Sequence, residues 1–77
     1  MLNLPVISGK RLVNILKSHG FEMVRQKGSH VRLKLTNDRV TTVPVHGNKD
    51  LPKGLLRKIL FQDLKLSPKE ASNWLKK

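Results

Sequence analysis

The chain contains no cysteine, so neither a disulfide framework nor a thiolate-ligated metal site can form, and zinc-finger readings are excluded. Acidic residues are scarce as well: Glu22, Asp38, Asp50, Asp63 and Glu70 are the whole set. They are scattered, with no pair spaced to share a cation, so carboxylate-held metal and two-metal hydrolysis are not expected. Tyrosine is absent and the aromatic residues are Phe21, Phe61 and Trp74. Phe21 and Phe61 fall at core positions, so stacking on nucleic-acid bases, and base-specific readout with it, is expected to be weak. No serine sits in a recognisable nucleophile turn, which disfavours a serine-based triad. Met1 to Ile7 carries neither a basic leader nor an apolar run long enough for a signal peptide or a membrane span. A cytoplasmic protein is therefore expected. There is no internal repeat, low-complexity segment or linker, and 77 residues form one domain, 1–77.

Positive charge is what the chain has in excess. Lys and Arg number 16 against 5 Asp and Glu, for a net charge of +11. Self-repulsion on that scale works against a fold whose core typically supplies only about 3–5 kcal/mol of net stability. A polyanionic partner would relieve it, and nucleic acid, an acidic membrane surface and an acidic protein all answer to the same field.

The hydrophobic spacing organises the chain. Ser8 can N-cap a helix starting near Gly9, in which Leu12, Val13, Ile15 and Leu16 recur at helical spacing. Gly20 suits the left-handed residue that ends it. From Phe21 the period becomes two, with Phe21, Met23 and Arg25 on one face of a strand and Glu22, Val24 and Gln26 on the other, up to a turn at Lys27-Gly28. Ser29 to Thr36 alternates more cleanly: Val31, Leu33 and Leu35 share one side, and His30, Arg32 and Lys34 the opposite side. His30 should thus face away from the core. Asn37-Asp38 signals a hairpin, and Arg39 to Val45 returns as a β-branched third strand. A strict two-residue turn would pair Leu35 with Val40 and set Val43 and Val45 on the face of His30, whereas a one-residue bulge would reverse them. The alternation alone leaves both registers open. Pro44, with no N–H to donate, places this strand at an edge or makes its end irregular.

After the loop His46 to Asp50, the residues Leu55, Leu56, Ile59, Leu60 and Leu64 mark a second amphipathic helix opening near Pro52. Lys49, Lys53, Arg57 and Lys58 crowd its first turns, against the helix dipole, where free N–H groups would suit an anion such as phosphate. Ser67-Pro68-Lys69-Glu70 combines an N-cap, a first-turn proline and a capping-box glutamate, so a short last helix carries Ala71, Trp74 and Leu75. The fold class is α+β: α-β-β-β-α with an antiparallel three-stranded sheet, then a short C-terminal helix.

That order resembles the double-stranded-RNA-binding-domain fold, in which both helices cover one face of the sheet and the other stays open. The residues Ile7-Ser8-Gly9-Lys10, Gly20-Phe21, Arg25-Gln26-Lys27-Gly28-Ser29-His30 and Val43-Pro44-Val45-His46 resemble consecutive blocks of the HicA family of messenger-RNA interferase toxins. Gly47-Asn48-Lys49 and Lys53-Gly54-Leu55-Leu56-Arg57-Lys58-Ile59-Leu60 resemble that family's basic loop and second helix. The tail Ser67 to Lys77 maps onto no family motif, and Leu51-Pro52 is slightly unusual. The resemblance implies the toxin of a type II toxin–antitoxin system, an endoribonuclease that cleaves messenger RNA without a cofactor. It implies a HicB antitoxin as inhibitory partner, no membrane and a monomeric free toxin. The family's catalytic histidine lies in a Gly-Ser-His motif, here Gly28-Ser29-His30.

RNA carries its own nucleophile, the 2′-hydroxyl, so cleavage needs a proton acceptor, cations for the charged transition state and alignment of the leaving oxygen. His30 can act as general acid–base beside phosphate-binding cations. On alternation alone, a polar residue on a solvated strand face is an equally good reading of it. Gly28 and Ser29 read as a turn on their own, and as supporting groups only beside the histidine. His46 is a second candidate proton carrier, though a loop-capping role fits its position better, and His19 reads as structural or merely exposed. Arg25, Lys27, Arg32 and Lys34 on the sheet, with Lys49, Lys53, Arg57 and Lys58 near the second helix, are the expected RNA-binding set. The alternatives are a noncatalytic double-stranded-RNA-binding module and a basic surface that serves only to dock an acidic antitoxin.

Overall fold

A computed structural model describes residues 4–76, so the first residues of the Met1 to Ile7 segment lie outside the described residues. Helix α1 spans Gly9–Ser18, strands β1, β2 and β3 span Glu22–Lys27, His30–Thr36 and Arg39–Pro44, helix α2 spans Lys53–Arg57 and helix α3 spans Pro68–Leu75. The strands form one antiparallel sheet in the order β1-β2-β3. The α+β, α-β-β-β-α order is as the sequence implies.

The helix ends follow from local chemistry. The Ser8 hydroxyl accepts from the Arg11 N–H at 3.1 Å and opens α1. Gly20, at φ +95°, closes it, with the Phe21 N–H donating to the Leu16 carbonyl at 3.0 Å. At α3, Ser67 and Glu70 form the reciprocal capping box, and Pro68 occupies the first turn. α2 departs from a plain α-helix: Lys58–Asp63 continues it as a π-helix, with the Leu64 N–H donating to the Ile59 carbonyl five residues back. The wider turn stacks Leu64 over Ile59, and both are fully buried with Leu56 and Leu60. Lys65 then takes a left-handed φ of 57°, and the Leu66 N–H closes on the Leu60 carbonyl.

Helices α1 and α2, with its π-helical extension, pack on the β2 and β3 side of the sheet. Leu12 and Leu16 of α1, Leu33 of β2, Val43 of β3 and the α2 leucines build the core between the layers. Among the described residues the one buried polar side chain is that of Thr41, whose hydroxyl donates to Asp63 Oδ2 at 2.9 Å, tying β3 to the π-helix. α3 packs back on the domain through Ala71 and Leu75, while Trp74 stacks on His19 with ring centroids 3.9 Å apart and meets the edge of Phe21. His19 is thus a structural contact.

Two bulges set which face each strand residue occupies. In β1 the pairing runs Met23 with Leu33 and then Arg25 with Arg32, leaving Val24 as the extra residue. Arg25 therefore does not share a face with Met23, as simple alternation suggests; it moves to the opposite side. In β3 the pairing steps from Thr36 with Arg39 to Lys34 with Val40, so Leu35 is bulged and Val43 pairs with Val31 in the core. The bulged register, one of the two that the sequence leaves open, is the one formed, and Leu35 leaves the row of Val31 and Leu33 to become exposed. Burial selects it, because the strict register would put Val43 on the solvated face.

Candidate nucleic-acid interface

The face of the sheet opposite the helices is open, and the bulged register assembles its residues in three cross-strand rows. Arg25 lies beside Arg32 and Thr42, Lys27 beside His30 and Pro44, and Glu22 beside Lys34 and Val40. His30 alternates strictly with the buried Val31 and Leu33 along β2, so its side chain is exposed on this face. Cross-strand neighbours stand with Cβ atoms about 4.5–5.5 Å apart, close enough for Lys27 and the imidazole to approach one phosphate together. Arg32 is steered toward β3 by a 3.3 Å hydrogen bond from its Nη1 to the Thr42 hydroxyl. Lys27 thus flanks His30, Arg25 and Arg32 fill the next row, and Lys34 lies one row farther along beside Glu22, the one acidic residue in the rows.

The turn before His30 is built for this placement. Lys27 pairs with His30, so Gly28 and Ser29 are the two loop residues, and Gly28 adopts φ +58°, a conformation disfavoured for a residue with a Cβ. Ser29 has a second attachment: its carbonyl accepts from the Val45 N–H at 2.6 Å, and its hydroxyl lies 3.5 Å from His46 Nε2. The β1–β2 turn and the end of β3 are therefore tied together, and His46 is brought to the same end of the sheet as His30. Sequence spacing gives no hint of this contact, since the two residues are 17 positions apart.

Beyond Pro44 and His46 the chain crosses to α2. Asp50 bridges Ser8, and the Leu51 N–H donates to the Ile7 carbonyl at 2.8 Å, fastening this loop to the start of α1. Between the loop and α2 lies a half-open cleft of about 270 Å³ lined by Pro44, His46, Lys49, Asp50, Leu51, Pro52 and Leu55. Lys49 thus joins the His46 end of the sheet. Lys53, Arg57 and Lys58 are exposed on the helix layer, and Lys58 pairs with Asp63 at 3.8 Å. The eight cations singled out from the sequence accordingly fall into a sheet group around His30 and a group on α2, rather than one continuous row. Among the described residues no group of three or more His, Asp or Glu is placed to hold a metal ion, and no helix is long and apolar enough to cross a membrane.

No curated protein and no solved structure matches the chain. The model of one family, described as the HicA toxin of bacterial toxin–antitoxin systems, matches residues 9–66. The match takes in α1, the whole sheet and α2 with its π-helical extension, and stops short of α3. On a match covering most of its length, the chain belongs to the HicA toxin family, and it is the toxin of a toxin–antitoxin pair with an antitoxin for its partner.

Proposed function

We propose that this toxin is an endoribonuclease that cleaves messenger RNA in the cytoplasm without a metal ion, with His30 as its general acid–base. The observation that carries the reading is the exposed imidazole in the middle strand, with Lys27 beside it, Arg25 and Arg32 in the adjoining row and Lys34 in the row beyond. These cations bind the ribose-phosphate backbone, and His30 takes the proton from a ribose 2′-hydroxyl. The resulting oxygen attacks the adjacent phosphorus and the bond to the 5′-oxygen breaks. A 2′,3′-cyclic phosphate forms, and the departing 5′-oxygen is protonated by solvent water or by His46, the second imidazole at this end of the sheet. Arg32 and Lys27 stabilise the extra negative charge of the transition state. Two of the five carboxylates are already engaged in structure, Asp63 with Thr41 and Lys58 and Glu70 in the α3 capping box, which supports a mechanism without carboxylate-held metal.

The antitoxin, of the HicB type, inhibits by covering the open face, where its carboxylates would meet the sheet cations and exclude RNA. The free toxin acts as a monomer.

Purified protein and its His30→Ala variant are incubated with RNA in excess chelator. The wild-type protein cleaves, and the variant loses about 10²- to 10⁴-fold in rate, the usual contribution of one positioned acid–base, while RNA affinity is largely kept. Cleavage that survives in the variant refutes the assignment of His30, and RNA binding without cleavage by the wild-type protein favours a noncatalytic binding module.

A further inference from the structure

The cleft at the end of β3 adjoins the row of His30 and shares with the cleavage step only His46, the alternative there to solvent water as proton donor. Pro44 is the cross-strand partner of His30 and also lines the cleft. His46, the next lining residue along the chain, is tied back to Ser29, the residue before His30. The cleft therefore begins one strand away from the proposed reacting phosphate. Its volume of about 270 Å³ falls just below the roughly 300 Å³ at which clefts begin to hold drug-sized molecules. That is room for one flat heterocycle. Its lining joins apolar surface from Pro44, Leu51, Pro52 and Leu55 to three polar side chains, His46, Lys49 and Asp50.

We propose that this cleft is a subsite for one unpaired nucleobase of the RNA, stacked against the His46 ring, with the neighbouring phosphate directed toward Lys49. The inference rests on the ribonuclease reading above and adds to it a source of sequence preference. Recognition of single-stranded RNA commonly splays a base out of the stack, onto an aromatic ring and against apolar surface, with polar groups reading its edge. With so few aromatic residues elsewhere, His46 supplies the stacking surface on this side of the molecule. Asp50, whose carboxylate oxygens accept hydrogen bonds, selects a base that offers donors side by side. Guanine does so through its ring N1–H and its amino group; uracil offers one N–H flanked by carbonyl oxygens, which a carboxylate repels. Guanine is the favoured occupant, and an A-form duplex, whose bases are stacked and paired, cannot fill the cleft.

The test uses the full chain carrying His30→Ala, so that it reads binding and is independent of cleavage. Guanosine monophosphate, uridine monophosphate and inorganic phosphate are titrated separately, and backbone amide shifts are followed by NMR. The expected result is saturable shifts at His46, Lys49, Leu51 and Leu55 with guanosine monophosphate, weaker ones with uridine monophosphate, and with phosphate a response confined to Lys49. His46→Ala weakens guanosine monophosphate binding by about tenfold, the lower end of what one base–ring stack contributes. Asp50→Asn, an exposed substitution that keeps the side-chain shape, removes the preference between the two nucleotides. Shifts confined to the Arg25 and Arg32 rows, equal responses to phosphate alone, or the same preference after Asp50→Asn would each overturn the subsite. Failure of the ribonuclease reading shows itself separately, as absence of RNA cleavage by the protein with His30 intact.

Discussion

Replacing Gly9 by alanine tests the junction that holds Pro44, and with it the row of His30, in place. Gly9 is the first residue of α1 and is buried against the end of β3. A Cβ built on it would penetrate the Pro44 carbonyl oxygen and lie 3.1 Å from the carbonyl carbon and 3.4 Å from Val43 Cγ1. The obstacle is backbone, so no rotamer change relieves it, and α1 must move off the sheet. Overpacking of this kind typically costs about 1–3 kcal/mol. Against it stands the better helix propensity of alanine, at most about 1 kcal/mol at an interior position and less in the first turn. The net expectation is a loss of about 1–2 kcal/mol, or roughly 5–15 °C in melting temperature for a domain of this size. Gly54→Ala is the control, since a Cβ on Gly54 within α2 meets nothing within 4 Å. It should gain up to about 1 kcal/mol. Both are read by urea and thermal unfolding followed by circular dichroism. If Gly9→Ala unfolds at or above the wild-type midpoint, the close approach of α1 to Pro44 does not hold the fold as argued.

Lys65 adopts a left-handed φ of 57° immediately after the π-helical segment, a conformation that typically costs a residue with a Cβ about 1 kcal/mol, so Lys65→Gly should raise stability by about that amount, and a lowered unfolding midpoint would contradict it. Thr41→Val keeps the shape of the buried side chain but removes the hydrogen bond to Asp63; a loss of about 1–2 kcal/mol is expected in denaturant titration, and no loss would show that water satisfies Asp63 equally well. The Glu70 carboxyl is held below its ordinary value of 4.5, chiefly by the Ser67 backbone N–H and further by the Ser67 hydroxyl and Arg39, with partial desolvation opposing them. A carboxylate with a depressed folded-state pKa contributes stability that is fully present above its unfolded value and is lost as pH falls through the folded one. The melting-temperature difference between wild type and Glu70→Gln should therefore be present at neutral pH and shrink as the solution is acidified below about pH 4; a difference unchanged by acid would break the argument. RNA binding that engages about four phosphates on a single strand should weaken with salt at a log–log slope near −3, and a slope near zero in a filter-binding series would disconnect the sheet cations from the RNA backbone.

Local chemistry alone determined a large part of this protein. Ser8, Gly20 and the Ser67 to Glu70 capping box mark helix ends through hydrogen bonds to their own neighbours, and the alternation along β2 assigns His30 to the solvated side because a period-two pattern needs no distant partner. The Gly28-Ser29-His30 motif was legible only through the resemblance to the HicA family. The register was not. Whether Leu35 is counted in or bulged out depends on which residues the helices offer across the core, whether Val24 is depends on the pairing of β1 with β2, and those two extra residues decide the faces of Val43 and Arg25. Simple alternation sends Arg25 to the side of Met23; only the bulge in the pairing of β1 with β2 brings it round to the row beside that of His30. The cleft beside Pro44 and the approach of His46 to Ser29 likewise join segments distant in the chain, and so does the separation of the basic residues into two layers. Periodicity reports what a side chain does relative to its own strand or helix, whereas these features arise from how one element is set against another, and they exist only once the chain has closed on its core.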